Sequence, residues 1–160
     1  MLRSGGTPAR AFVAIVLLAV IVSTLAPAAL AAEAGPPTRT RADHYRMRML
    51  ELLNEMRASR RLPALRVNHR LSPESWEHSR AMARRVELFH TPDLASIIEP
   101  FGATVWGENV GVAQTLRRIV SLMMNSPPHR RHLVDPRLSW IGIGVVRMHG
   151  WLWVTLDLHN

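Results

Sequence analysis

The C-terminal part of the chain alternates between two kinds of side chain, and this pattern restricts the fold more than any other feature of the sequence. In residues 139–148, "SWIGIGVVRM", branched apolar residues alternate with glycines, and in residues 151–159, "WLWVTLDLH", leucines and a valine alternate with bulky or polar residues. A period of two is typical of β-strands, and a two-residue connection ending in glycine is typical of a tight turn. We therefore predict a C-terminal antiparallel hairpin. Because Gly142 and Gly144 lack side chains, we also predict that another element packs very closely on that face.

Apolar residues at spacings of three and four predict three helices before the hairpin. The first covers residues 43–60, from an aspartate N-cap to the region before a proline. The second covers 72–89, with a serine N-cap and a proline at its first position, and the third covers 115–124 and ends before two prolines. Between the second and the third we expect a loop with a turn or two of helix. The predicted inner faces comprise Met49, Leu52, Leu53 and Met56, then Trp76, Ser79, Met82, Ala83 and Val86, then Leu116, Ile119, Val120 and Met123.

The N-terminal residues 1–31 combine a basic start, an uncharged apolar run and a small-residue end, which is the order found in secretory signal peptides. We predict cleavage at the end of this segment, with Ala34 as a second candidate, and secretion of the remainder. The alternative is a retained membrane anchor at residues 11–32, because this run approaches the ~20 residues that a bilayer span needs. Residues 32–42, rich in proline, threonine and arginine, are interpreted as a flexible tether before a single domain at 43–160.

The positive charge of the chain comes from arginine alone. All 20 basic residues are arginines, and the formal net charge is +8. This balance favours contact with anionic surfaces, but the basic stretches hold no nucleic-acid reader motif, so we expect no specific nucleic-acid partner. Cysteine is absent. An exported domain of this sequence is therefore stabilised by its core, or by a metal, and not by disulfides.

Three polar residues in the second half of the domain are candidate site residues. They are His90 in "LFHTP", Glu108 in "WGENVG" and His129 in "NSPPHRRHL", each at or beside the end of a predicted element. Taken singly, each has an ordinary interpretation. Glu108 is then a carboxylate that accepts backbone N–H groups in a loop, and a lone histidine is a partly buried side chain bonded to the backbone. The same interpretation is given to the other histidines, His44, His69, His78, His132, His149 and His159.

The order of these motifs resembles the CAP superfamily, the cysteine-rich secretory, antigen 5 and pathogenesis-related proteins, in its bacterial, SCP-like extracellular form. The similarity begins with "LLNEMRASRRLPALRVNHRLS", passes through the three motifs and ends in "HRRHLVDPRLSWIGIGVV" and the last strand, so that it covers about residues 50–158. The resemblance implies an α+β fold. The expected architecture is an α-β-α sandwich, with a small antiparallel sheet of about three strands between helix layers and a central cavity.

The resemblance also assigns residues to the cavity, which in such proteins is lined by two histidines and two acids and in several members holds a divalent metal. His90 and His129 match the two histidines and Glu108 matches one acid, while Asn109 belongs to the same G-E-N motif and is included with them. The second acid has no match, because residues 109–134 contain none. His90, Glu108 and His129 are thus candidate metal ligands, with zinc as the first choice and magnesium or calcium as alternatives.

Two functions are consistent with these residues. The first is a secreted binding module whose cavity holds a lipid or another apolar, envelope-derived ligand. The second is a metal-dependent hydrolase of peptides or esters, because two imidazoles and a carboxylate around an open position can activate a metal-bound water. The missing second acid leaves hydrolysis without an evident base, and no G-x-S-x-G elbow indicates a serine nucleophile. We therefore favour the binding module.

Overall fold

A computed structural model describes residues 39–160 of the chain, with side chains from residue 41 onward. The helices are α1 (Arg39–Ala58), α2 (Ser72–Arg85), α3 (Leu94–Ile98), α4 (Leu116–Asn125) and α5 (Pro127–Leu133), and a 3-10 turn covers Glu99–Phe101. The strands are β1 (Arg66–Val67), β2 (Trp106–Ala113), β3 (Trp140–Met148) and β4 (Trp151–His159). The predicted signal peptide and most of the predicted tether lie outside the described residues. Within residues 39–160, no helix is both long and apolar enough to cross a membrane.

The four strands form one mixed sheet in the order β1-β3-β4-β2. The pairs β3–β4 and β4–β2 are antiparallel, whereas β1 runs parallel to β3 through its two residues. The prediction of a small sheet in an α+β fold is confirmed, but the sheet has four strands and one parallel pair where three antiparallel strands were expected. Strand β1 was not predicted because its two residues are too few to produce an alternating pattern.

The predicted C-terminal hairpin is present as β3 and β4. Their register places Met148 opposite Trp151 beside the turn. His149 and Gly150 have positive φ angles of 53° and 78°, as a two-residue type I′ turn requires. The chemistry of this turn therefore fixes the register of the two central strands.

Helix α2 packs on one face of the hairpin at the two glycines. A Cβ atom at Gly144 would overlap the backbone carbonyl of Ser75, and one at Gly142 would lie 2.6 Å from both Leu71 Cγ and Ser75 Oγ. Both approaches are too short for carbon, so α2 can lie this close only because the two positions carry no side chain. The close packing predicted for this face is confirmed.

The opposite face of the sheet carries the main hydrophobic core, beneath α1, α4 and α5. Its buried side chains include Met49, Leu53, Ile119, Met123, Leu133, Ile141, Ile143, Val154, Leu156 and Leu158. A smaller core between α2 and the sheet contains Met82, Ala83, Val110, Val146 and Trp153. With helices on both faces of the sheet, the fold is an α-β-α sandwich, as predicted.

Two helix boundaries differ from the prediction, and one further helix was not predicted. Helix α1 begins at Arg39, so the last residues of the predicted tether are helical, and burial of Ala42 explains why this turn is ordered. Helix α2 ends at Arg85 because Val86 adopts a left-handed φ of 53°, and Val86 is 65% exposed where the inner face was predicted. The two prolines after α4 do end that helix, but they also occupy the first two positions of α5, where a missing N–H breaks no helical hydrogen bond.

Candidate functional site

Glu108 lies on strand β2 and not in a loop, which corrects the sequence interpretation. All 8 residues of β2 pair with β4, from Trp106 opposite His159 to Ala113 opposite Leu152. Glycines, a glutamate and an asparagine interrupt the apolar alternation of this strand, so its sequence resembles a loop, although pairing with β4 holds it extended. Because β2 is the last strand in the sheet order, loops and side chains outside the sheet can approach its edge.

The carboxylate of Glu108 is buried and is held by the loop that follows α2. Its side chain is 4% exposed. The backbone N–H of Thr91 donates to Oε1 at 2.9 Å, and the Thr91 hydroxyl donates to Oε2. The Nδ1 atom of His90 lies 2.6 Å from Oε1, while the His90 side chain is 67% exposed. His90 therefore links a buried carboxylate to solvent.

A second histidine supports the same loop from α2. His78 Nε2 lies 2.8 Å from the carbonyl oxygen of Phe89, and the two rings meet edge to face with their centroids 4.9 Å apart. The same nitrogen is 3.8 Å from Glu108 Oε2. The interpretation of His78 as a partly buried histidine bonded to the backbone is confirmed. In addition, its contact with Phe89 helps to fix the loop that presents His90 and Thr91 to the carboxylate.

Asp157 supplies a second acid, which sequence reasoning missed. It lies directly opposite Glu108 in the register of β2 and β4, so both side chains are on the face covered by α2. The Ser75 hydroxyl donates to Oδ2 at 2.6 Å, and among the described residues the buried Oδ1 has no partner. Burial, with a contribution from neighbouring Glu108, raises the pKa of Asp157 to about 7, against the opposing effect of the Ser75 hydrogen bond. Asp157 is therefore expected to keep its proton up to about pH 7, opposite the Glu108 side chain.

Asn109 lies on the other face of β2 and joins the strand to α5. Its side chain is fully buried. The Nδ2 group donates to the His129 carbonyl oxygen at 3.0 Å, and Oδ1 lies 2.9 Å from Nδ1 of His132. Burial, more than the neighbouring arginine charge, lowers the pKa of His132. Asn109 therefore positions the helix that carries His129 and does not face the Glu108 carboxylate.

His129 lies in the first turn of α5, in the neighbourhood of His90. Its Nδ1 atom is 2.7 Å from Ser126 Oγ. Burial lowers its pKa, and the nearby His90 lowers it further. Within residues 39–160, no hydrogen bond or ion pair joins His129 to Glu108. The structure thus brings His90 and Glu108 into direct contact and places His129 close enough to His90 for their charges to interact.

The candidate ligands do not form a metal site in this arrangement. In the described part of the chain, no group of three or more histidine, aspartate or glutamate side chains is placed to hold a metal ion. Both oxygens of Glu108 already accept hydrogen bonds from Thr91, which reduces the lone pairs left for a cation. In this arrangement of the described residues, His90 and Glu108 supply two of the ligands that zinc needs, and magnesium or calcium needs still more oxygen ligands.

An apolar pocket opens beside His129, between the edge of β2 and α4. Its volume is about 170 Å³. The residues that line it are Leu88, Val110, Gly111, Val112, Ile119, Leu122, Met123, Ser126 and His129. A second pocket, of about 400 Å³, shares Val112 and Leu122 with the first and extends to Arg118 and Trp151. We call Glu108 and the two residues bound to it, His90 and Thr91, the Glu108 cluster. The two pockets follow the outer part of β2 away from this cluster.

The sequence profile of the CAP family, the cysteine-rich secretory protein family, matches residues 50–157. Among curated proteins, the uncharacterized protein YkwD of Bacillus subtilis (strain 168) is 29% identical over 116 residues, which covers 68% of this chain and 45% of the relative. The chain therefore spans less than half the length of this relative.

Solved structures show the same fold. An extracellular protein containing an SCP domain from Bacillus anthracis aligns with a TM-score of 0.65 and 19% identity over 79% of this chain and 45% of that chain. An outer surface protein from Borrelia burgdorferi gives 0.64 and 18% over 72% and 92%. A cysteine-rich secretory protein from Staphylococcus aureus gives 0.61 and 20% over 77% and 40%. At these identities the similarity concerns the fold alone.

Proposed function

Because the chain belongs to the CAP family, the cysteine-rich secretory protein family, we propose that it is a secreted binding module that holds a lipid with one acyl chain and an anionic head. The apolar pocket beside His129 carries the proposal, since small-molecule sites are mostly apolar cavities with a few polar groups at the rim. Secretion is supported by the signal-peptide pattern of residues 1–31 and by the description of the Bacillus anthracis protein with an SCP domain as extracellular.

The two adjoining pockets suit a ligand with one apolar and one acidic part. With volumes of about 170 and about 400 Å³, they fall together within the ~300–1,000 Å³ that is usual for ligand sites. Leu88 and Leu122 expose 45% and 43% of their surface at the first pocket, and an acyl chain there would remove this surface from water. Arg118 lines the second pocket, where its guanidinium can pair with a carboxylate or phosphate.

The Glu108 cluster orders the wall of this site in the proposed function. Leu88 belongs to the loop whose Thr91 and His90 are bound to Glu108, so the carboxylate fixes the position of one side of the first pocket. His129, bound to Ser126, forms the polar end of the same pocket. The cluster therefore acts by positioning and needs no chemical step.

Oleate is expected to bind the protein, and Leu122→Asp is expected to weaken this binding at least about tenfold, because a charge replaces apolar contact with the acyl chain. Fluorescence displacement of a labelled fatty acid measures the affinity. Met47→Asp is the matched control, since Met47 is 50% exposed on α1 and lines neither pocket. No uptake of oleate, or equal loss in both variants, would reject the proposed site.

Calorimetric titration of zinc, and then of magnesium and calcium, is expected to show no binding that depends on Glu108, because His90 and Glu108 have no third ligand among residues 39–160. The variants Glu108→Gln and His90→Ala are compared with the wild type and with His44→Ala, a change at an exposed histidine on α1. Tight binding that is lost in the first two variants but kept in the third would contradict the binding module without metal. It would favour the alternative function, a metal-dependent hydrolase of peptides or esters.

A further inference from the structure

A row of side chains crosses all four strands at the end of the sheet that is opposite the hairpin turn. Arg66 on β1 is in register with Trp140 on β3, Trp140 with His159 on β4, and His159 with Trp106 on β2. Residues directly opposite each other in a sheet point to the same face. The row therefore lies on the face that α2 covers farther along the strands.

Three of the four side chains in this row are aromatic, and both tryptophans are exposed to solvent. Trp140 is 38% exposed and Trp106 is 44% exposed. Between them, Phe101 stacks on His159 with the ring centroids 5.2 Å apart. Because neighbouring strands are about 4.8 Å apart, the backbone positions of the two tryptophans are separated by about 10 Å. We call Trp140, Phe101 and Trp106 the aromatic strip.

Two arginines lie over the strip. The guanidinium carbon of Arg66 is 5.9 Å from the centroid of the Trp140 ring, and that of Arg70 is 5.4 Å from the centroid of the Phe101 ring. Both arginines are exposed, and in residues 39–160 neither forms an ion pair with an acid. A guanidinium that stacks on a ring keeps its N–H groups free in the plane, where they can bind a carboxylate in bidentate fashion.

We propose that the aromatic strip, with Arg66 and Arg70, binds an acidic polysaccharide. The C–H faces of sugar rings can pack on indole and phenyl rings, which combine large apolar area with low conformational freedom. Acid groups on the same chain can accept charge-assisted hydrogen bonds from the two guanidiniums. An extended polysaccharide presents its rings along a line, as the strip does, and its negative charge complements the positive charge of this arginine-rich protein.

The distribution of the arginines favours a polysaccharide over a single-stranded nucleic acid. A nucleic acid carries a phosphate beside every base, and sites for single strands provide cations along the whole track. Here the stacked arginines accompany Trp140 and Phe101 but not Trp106. This pattern matches a polymer in which only some of the rings carry an acid group.

The strip is independent of the proposed lipid site. None of its three residues lines either of the two pockets along β2. Loss of polysaccharide binding can therefore be measured in a protein whose oleate binding is unchanged, and the reverse is also true.

Hyaluronate, in which acidic and neutral sugars alternate, is the probe, and dextran is the neutral control polymer. Affinity electrophoresis at one fixed ionic strength is expected to show retardation by hyaluronate but not by dextran. Trp140→Ala and Trp106→Ala are each expected to weaken binding at least about tenfold, and Trp140→Phe to keep most of it. Met47→Ala is the matched control and is expected to bind as the wild type, because Met47 is a large apolar side chain, 50% exposed on α1, that belongs neither to the strip nor to either pocket.

Charge alone is tested with three arginine variants. Arg66→Ala and Arg70→Ala are expected to weaken binding more than Arg147→Ala, which removes the same charge from an exposed position near the other end of β3. Equal effects of all three, or no effect of the tryptophan variants, would overturn the proposal. Tighter binding of oligothymidylate with the same dependence on Trp140 would also overturn it, in favour of a nucleic-acid site. Circular dichroism confirms that each variant is folded.

Discussion

Arg57→Met is expected to lower the free energy of unfolding by about 3–5 kcal/mol. Arg57 is fully buried on α1. Its Nε group donates to the Pro63 carbonyl oxygen at 2.7 Å, and its Nη groups donate to the carbonyl oxygens of Leu133 at 3.0 Å, Asp135 at 3.2 Å and Leu138 at 3.0 Å. One side chain therefore joins the turn after α1, the end of α5 and the loop before β3. Methionine fills a similar volume but leaves all four acceptors without this donor.

Urea unfolding of the wild type and the variant measures this difference. The matched control is Arg48→Met on the same helix, because Arg48 is 36% exposed and its ion pairs with Glu51 and Glu55 lie on the surface. Surface pairs of this kind contribute about 0–1 kcal/mol. If Arg57→Met lost no more stability than Arg48→Met, the carbonyl contacts would not hold the three segments together. Arg57→Lys should lie between the two, since an ammonium cannot serve four separate acceptors in the fork geometry of a guanidinium.

The parts of the fold that the sequence predicted are those that depend on neighbouring residues. The hairpin follows from alternation on either side of a two-residue turn, and the glycines of β3 predicted the approach of α2 before any partner was known. Helix α4 begins after Thr115, whose hydroxyl accepts a hydrogen bond from the Arg118 N–H. Of its predicted inner face, Leu116, Ile119 and Met123 are buried and Val120 is half-buried. In each case the signal lies within a few residues of the element.

The parts that the sequence did not predict depend on segments far apart in the chain. Arginine is usually found at the protein surface. Burial of Arg57 is favourable only because three segments of the chain place carbonyl acceptors around its guanidinium. Strand β2 is held by β4 although Glu108 and Asn109 interrupt its pattern. In the same way, Asp157 becomes a partner of Glu108 only through the register of these two strands. An acid on the inward side of an apolar strand was the available signal, but its partner could not be named without that register.

The contact between His90 and Glu108 came from the family resemblance and not from residue patterns. The resemblance grouped His90, Glu108, Asn109 and His129, and the structure places these residues around one part of β2. The resemblance does not reveal that Asn109 faces away from Glu108, nor that Thr91 supplies two of the hydrogen bonds to the carboxylate. These details depend on which face of β2 each residue occupies. Because the sequence analysis interpreted this segment as a loop, it could not assign its residues to the two faces of a strand.

We expect the wild type to become less stable as the pH rises, and we expect Asp157→Asn to abolish this dependence. The pKa of Asp157 is raised from 3.8 to about 7 in the fold, chiefly by burial. Between these values the folded protein holds a proton that the unfolded chain has released, so the free energy of unfolding falls with increasing pH. The slope is up to about 1.4 kcal/mol per pH unit. The stabilising effect of this proton is complete below about pH 4 and is lost by about pH 7.

Urea unfolding at pH 5 and pH 8 tests this prediction. Between the two, the wild type should lose about 3 kcal/mol relative to Asp157→Asn, because the amide stays neutral and can still face the Glu108 carboxylate. Asp135→Asn is the matched control: hydrogen bonds from Arg137 lower the pKa of Asp135 to about 2, so that carboxyl is ionised in both states throughout the window and its removal should not change the slope. Parallel pH profiles for the wild type and Asp157→Asn would contradict the prediction, because they would show that Asp157 does not hold a proton in the folded protein at pH 5.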